Sequence, residues 1–410
     1  MRIFRPFWIL GFLVGLGIAQ SRPSPPPVSI PAVIDHNRVV IAGEIAVPGG
    51  ATERIHVWVD NGNPDLELSR RIATLLGLSV SCSDQECFAP PPSGIRVGGF
   101  TIPFSGIKQA KIPLNPVNAA HVLAPGMNAD INLPASVLHD YDVLIDFPGH
   151  KFTIGPPGSI RFEGSSAKVQ ISTNGLIQVP SRIENKKYNL ALDIGSSISL
   201  VSQDLFDSLA QAHPEWPHVT GAVGSANMWG AAEEVKWKAM RLDRLQFGPL
   251  FLTDVSIVSL PKSVVDFFEK RAGMPTIGLL GSNMLLSYRV GLDYARSTVY
   301  FDLGRFSKFP DFEVVGIVLR PEDDGHYTIL GVPDFNGKTA VEGVHAGDRL
   351  IAVDDISVTG ATMGQVWAML GGTPGQERRL TMERGGKEFV VPATVQNFLP
   401  EVPDSGRKAK

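Results

Sequence analysis

The chain has little of what most hydrolytic sites are built from. It holds two cysteines in 410 residues, Cys82 and Cys87, separated by Ser-Asp-Gln-Glu. Two lone cysteines cannot make a four-ligand metal centre, and the nine histidines are scattered without helical ligand spacing. No metal and no other cofactor is therefore expected. There is no zincin helix and no nucleophile-elbow serine. A formal net charge of -4 and the lack of a basic block argue against nucleic acid as a partner. Long apolar runs are also missing: Phe7 to Ala19 is one of 13 residues, and nothing later could cross a bilayer.

That early run follows the positive start Met1-Arg-Ile-Phe-Arg and ends in Gly17-Ile18-Ala19, a small-x-small site. Residues 1–19 read as a cleaved signal peptide, which places the mature chain in a periplasm or outside the cell, with no stable membrane span. In that setting Cys82 and Cys87 are expected to form a disulfide stapling a short surface loop. Residues 20–35 contain S-R-P-S-P-P-P-V-S-I-P and read as a stiff, Pro-rich linker.

What is present in quantity is turn chemistry. The 42 glycines and 32 prolines suit short strands better than long helices. Within it lies a repeat at domain scale. I-H-V-W-V-D-N-G at 55–62 and Y-N-L-A-L-D-I-G at 188–195 share three apolar residues at alternate positions, an aspartate, a variable residue and a glycine. Nine residues beyond each aspartate stands a serine placed to cap a helix, Ser69 and Ser202. Ile72 and Leu76 then match Leu205 and Leu209 on one helical face. Each copy closes with a hairpin, Y-D-V-L-I-D-F at 141–147 and Y-R-V-G-L-D-Y at 288–294 feeding a second strand. The second copy is longer, and its surplus falls in the loop-rich stretch from Trp216 to Trp237. The expected fold is mostly β, with two lobes at 36–155 and 167–304 related by a pseudo-two-fold axis.

The remainder, 312–396, differs in kind. Val314 to Leu319 reads as one apolar strand, E-G-V-H-A-G-D-R-L-I-A-V-D-D-I at 342–356 as a turn feeding a strand, and Met363 to Leu370 as a short helix stopped by Gly371-Gly372. A closing hairpin turns at Gly385-Gly386, and 397–410 is a polar tail.

An aspartate after a buried strand, followed by glycine, is often only a turn residue bonding its own backbone. Two of them in duplicated lobes permit more, because a two-fold axis can bring the equivalent loops together. Carboxylates sharing one site cannot both ionise cheaply, so one holds a proton while the other acts as base. Such a pair can take a proton from water and donate one to a carbonyl oxygen, which hydrolyses amides without metal or covalent intermediate.

On A-L-D-I-G-S-S at 191–197, V-W-V-D-N-G-N at 57–63 and T-I-G-L-L-G-S at 276–282, the lobes resemble pepsin-type aspartic peptidases in their small retropepsin-like form, fused in tandem. The resemblance implies Asp60 and Asp193 as the catalytic dyad, Gly62, Gly195 and Ser196 as loop support, and a single-chain, monomeric peptidase acting on protein or peptide. Ser225 to Ala231, with Trp229 beside Gly230, is the candidate flap. The family carries Thr or Ser after each aspartate as a hydrogen-bonded brace; here Asn61 and Ile194 stand there. Asn can donate and accept and Ile can do neither, so a one-sided brace is expected. The first lobe also lacks the family's glycine in D-I-N-L-P-A-S-V-L at 130–138.

G-V-H-A-G-D-R-L-I-A-V-D-D-I-S-V at 343–358 resembles a PDZ domain of exported bacterial proteases. That implies a bound peptide, with Gly325 and Tyr327 near its carboxylate. Three readings stand at this point: an exported aspartic endopeptidase with a substrate-recruiting PDZ domain, an inactive peptide-binding relative of one, and an envelope scaffold.

Overall fold

The computed structural model describes residues 25–83, 87–114, 126–305, 311–322 and 324–403, the side chains of Phe267 and Ala272 aside. The signal segment and most of the Pro-rich stretch lie outside the described residues. Among the described residues helices are few and short, the longest being Lys262–Ala272. None among the described residues is long and apolar enough to cross a membrane.

The Pro-rich linker ends sooner than the composition suggests. Val28–Asp35 is a strand, with every second residue turned inward. Its first half pairs with Lys151–Gly155 and its second half with Arg38–Ala46. Pro31, which has no N–H to give to a ladder, sits at the switch between the two partners. Proline content had masked the period-2 pattern of Val28, Ile30, Ala32 and Ile34.

Each lobe is built around the matched offsets. Thr52–Asp60 and Lys186–Leu192 run up to the two aspartates. Ser69 and Ser202 cap the helices Arg70–Leu75 and Gln203–Ala212, their hydroxyls accepting from the N–H of Ile72 and Leu205. The closing hairpins are Asp142–Asp146 with Lys151–Gly155 and Tyr288–Asp293 with Thr298–Leu303.

These hairpins join the lobes. Asp142–Asp146 pairs antiparallel with Tyr288–Asp293, with Leu144 opposite Gly291. Outward from that pair the order is the same on both sides. Lys151–Gly155 and then Val28–Asp35 flank one strand, and Thr298–Leu303 and then Ser165–Lys168 flank the other. A six-stranded layer of this order is the signature of two copies about a pseudo-two-fold axis. Beneath it the buried side chains of both lobes form one continuous core.

The third domain is a separate sheet, Val318–Pro321, Tyr327–Gly331, Arg349–Val353, Glu377–Arg384 and Lys387–Thr394 in that order, with Ile356–Ser357 at one side. Helix Met363–Leu370 begins in a capping box between Thr362 and Gln365 and buries Met363, Val366, Trp367 and Leu370. The single apolar strand expected over Val314–Leu319 is two strands, Glu313–Val314 and Val318–Pro321. Between them the chain leaves the sheet, because Val315 N–H bonds Leu370 C=O (3.0 Å) and Gly316 packs against the Phe398 ring. The domain shares one hydrophobic core with lobe 2, in which Val223, Ala226 and Met228 join Phe312, Ile317 and Leu319.

Candidate active site

The two Asp-x-Gly loops meet, and each carries the other's carboxylate. A methyl placed on Gly62 would overlap the Asp193 carboxyl, and one on Gly195 would overlap the Asp60 carboxyl. Glycine is required at both places by close approach. Both aspartates are deeply buried, Asp60 at 3% exposure and Asp193 at 9%.

The contacts on the two carboxylates differ. Asp193 accepts from the Ser196 N–H (3.0 Å) and from the Gly195 N–H. Burial raises its pKa, and these donors hold the rise down. Asp60 is also raised, well above the ordinary carboxylate range, by burial first, then by the charge of Asp193 and by that of Glu67; the Gly62 N–H and the Asn132 amide oppose the shift. Glu67 is itself raised by burial and takes a hydrogen bond from Asn63 (2.8 Å). Both carboxyls thus hold a proton more tightly than an ordinary aspartate, and the two titrate as a pair.

The brace between the loops is one-sided, and a single residue makes it. Asn61 Nδ2 donates to Leu192 C=O (2.8 Å), and Asn61 Oδ1 accepts from the Ile194 N–H (2.7 Å). Ile194 is wholly buried and returns nothing from its side chain. On that side the Ser282 hydroxyl donates to Ile194 C=O (2.9 Å). Sheet register makes Leu133 of Ile131–Pro134 equivalent to Leu280 of Gly278–Leu280. Pro134 and Ala135 then correspond to Gly281 and Ser282, so the first lobe has neither that glycine nor that hydroxyl.

Other expected site residues fall elsewhere. The Ser196 hydroxyl does not reach a carboxylate: it donates to Ile198 C=O (2.7 Å), and the carboxylate is bonded by the Ser196 backbone instead. Trp229 stands edge-on to Trp237 (5.3 Å), and Gly230 lies against Arg320 and Pro321 of the third domain. The loop meets the turn after Asp193 through their neighbours Met228, whose Sδ is 3.4 Å from Ser196 Oγ, and Ser225, whose C=O accepts from Ser197 Oγ (2.8 Å). Tyr327 is a core residue whose hydroxyl donates to Ala361 C=O (2.8 Å), and Gly325 is a left-handed turn residue against Gly360, so neither lines an open groove. Cys82 and Cys87 form a disulfide joining the short strands Ser81–Cys82 and Cys87–Ala89.

Several neighbours of the dyad carried no sequence signal. Arg38 is wholly buried and lies in the field of Asp35, Asp60 and Glu234; burial pushes its pKa down to about 10. His36 is pushed down to about 3 by burial and by the Arg38 charge, and its Nε2–H donates to Asn227 C=O (3.0 Å). Glu234 is wholly buried and raised to about 7 by desolvation. Asn132 alone was discoverable, since the repeat sets it opposite Leu279 in the other lobe. A cavity of about 630 Å³ opens to one side, lined by Asp35, His36, His56, Asn128 and Trp367 among others; neither dyad aspartate lines it.

No family model matches the chain, and no curated protein matches it. Among solved structures, an aspartic proteinase from Irpex lacteus is similar over 70% of this chain and 99% of its own, at 13% identity and a TM-score of 0.40. A likeness of that extent carries nothing about activity.

Proposed function

We propose that the chain is an exported aspartic endopeptidase. The observation that carries this reading is the reciprocal seating of Asp60 and Asp193, each carboxyl lying on the glycine of the opposite loop. Asp193, ionised and held by two backbone N–H groups, takes a proton from the attacking water. Asp60, neutral, donates to the carbonyl oxygen of the scissile amide as charge develops there. The water oxygen bonds the carbonyl carbon to give a gem-diol. Asp193 then passes its proton to the leaving nitrogen as the C–N bond breaks, and a gem-diol hydroxyl returns a proton to Asp60. A carboxylic acid, an amine and a singly protonated pair remain. Two buried acids in one site, both raised above the ordinary carboxylate range, are suited to holding one proton between them.

The finer parts rest on sequence alone. Export is read from residues 1–19, and both aspartates lying in one chain removes the need for a dimer. The third domain, PDZ-like by its Gly-Asp turn and following helix, would receive an extended peptide on a strand edge. The test is cleavage of a denatured protein from acid to neutral pH by wild type, Asp60→Asn and Asp193→Asn. Loss in both variants supports the reading, and activity surviving in either excludes a shared dyad. The alternative, a peptide-binding protein without turnover, is favoured by the burial of both carboxyls. It predicts that wild type binds peptide and leaves it intact.

A further inference from the structure

Both aspartates are buried, and the loop that packs on the Asp193 turn and on Arg38 is tied to the third domain. Strand Val318–Pro321 pairs on one side with Tyr327–Gly331, where Leu319 faces Ile329. Leu319 nevertheless turns both of its backbone groups the other way. Its N–H donates to Asn227 Oδ1 (3.0 Å), and its C=O accepts from Asn227 Nδ2 (3.0 Å). One buried side-chain amide thus takes the pair of bonds that another strand would take at this edge. Gly230 lies against Arg320 and Pro321 just beyond, and Gly126 of lobe 1 lies against Pro321 and Met363. The space between this strand and helix Met363–Leu370 is filled by the chain's own lobes.

The same loop reaches the catalytic loop from its other end. Ser197 Oγ donates to Ser225 C=O (2.8 Å), Ser196 Oγ meets Met228 Sδ, and Arg38 Nη1 donates to Met228 C=O (3.5 Å). Glu234 gathers the loop from within, accepting from Asn227 Nδ2 and from the N–H groups of Trp229 (2.8 Å) and Gly230 (3.2 Å). A substrate carbonyl must come within hydrogen-bond reach of both carboxyls, and their burial forbids that without a displacement.

We propose that residues 224–230 form an autoinhibitory strap over the dyad, latched to the third domain by Asn227. The proposal rests on the peptidase reading for its consequence, though the strap itself does not. Any extended segment that pairs with Leu319 must displace Asn227, so occupancy of the third-domain edge and exposure of the dyad are coupled.

The full chain tests this with Asn227→Ala, read by carbodiimide-driven coupling of glycine ethyl ester to Asp193 and Asp60 and by cleavage of denatured protein. Labelling of the two aspartates is expected to rise at least about tenfold, the change a latch worth two hydrogen bonds would give. Cleavage is expected to rise with it. Unchanged labelling overturns the strap, whether or not the chain cleaves anything. Raised labelling with no cleavage by wild type or variant keeps the strap and sinks the peptidase reading. Raised labelling with unchanged cleavage in an active chain overturns autoinhibition. Asn227→Ser, too short to reach Leu319 yet still polar, carries the same expectations should Asn227→Ala fail to fold.

Discussion

The two Asp-x-Gly loops are copies in plan and unequal in chemistry. Asn61 spans the axis with both ends of one amide, fixing Leu192 and Ile194 in the opposite loop. Ile194, its counterpart, fills space and is steadied from within its own lobe by Ser282. A two-fold arrangement needs its cross-bonds made, but one loop can make both of them. The other is then free to pack, and the surroundings of the two carboxyls are unequal too: Asp193 is held by two backbone N–H groups, and Asp60 has the buried acid Glu67 beside it.

The comparison breaks most completely at the aspartates. Asp60→Asn and Asp193→Asn should each lower cleavage about 1,000-fold or more, measured as initial rate, because general acid and general base are lost together when a shared proton has no partner. Equal losses are expected despite unequal surroundings. Asn61→Ala should come next. It strands the Leu192 C=O and the Ile194 N–H in the interior, at a cost of about 2–4 kcal/mol in denaturant unfolding.

A smaller effect separates the dyad by pH. Both carboxyls have folded-state pKa values above the ordinary 3.8. A raised carboxyl binds its proton more tightly when folded, so its contribution is most favourable below 3.8 and fades as pH climbs through the folded values. Thermal unfolding at several pH values from 4 to 7 should therefore show wild type losing stability relative to either Asn variant. Taking the difference cancels the opposite trend of His36, whose lowered pKa makes acid destabilising. Wild type and variant running parallel would remove the dyad's coupling from the account.

The smallest changes lie at the quiet end of the brace. Ile194→Thr loses buried methyl surface and gains a hydroxyl, each worth about 1 kcal/mol, so stability should move by less than about 1 kcal/mol. Ser282→Ala should cost about 1 kcal/mol for its single bond to Ile194 C=O. If Ile194→Thr stabilised the chain by more than Asn61→Ala destabilises it, the one-sided brace would be the wrong description.

Much of the fold was legible because its rules are short-range. Period-2 apolar runs define Lys186–Leu192 and Tyr288–Asp293, and serines nine residues past each aspartate cap their helices as the spacing predicts. Val28–Asp35 was missed because prolines hid its alternation, and Val314–Leu319 was overread because an apolar run says nothing of where it bends. Trp229 and Gly230 stand out as an aromatic beside a glycine, but contact with the Asp193 turn fell to Met228 and Ser225, unremarkable residues in sequence.

The sequence by itself determined that two equivalent strand-to-turn units exist and that each ends in an aspartate followed by a glycine. Backbone sterics and alternation act over a few residues and leave their mark in spacing. Only the tertiary structure decided that those aspartates share a site, that Asn61 makes both cross-bonds, and that Asn227 closes the edge at Leu319. These depend on residues 92 to 133 positions apart meeting in a buried, low-dielectric interior, where one amide or one carboxyl changes the energy of its neighbour. No local pattern encodes such a meeting.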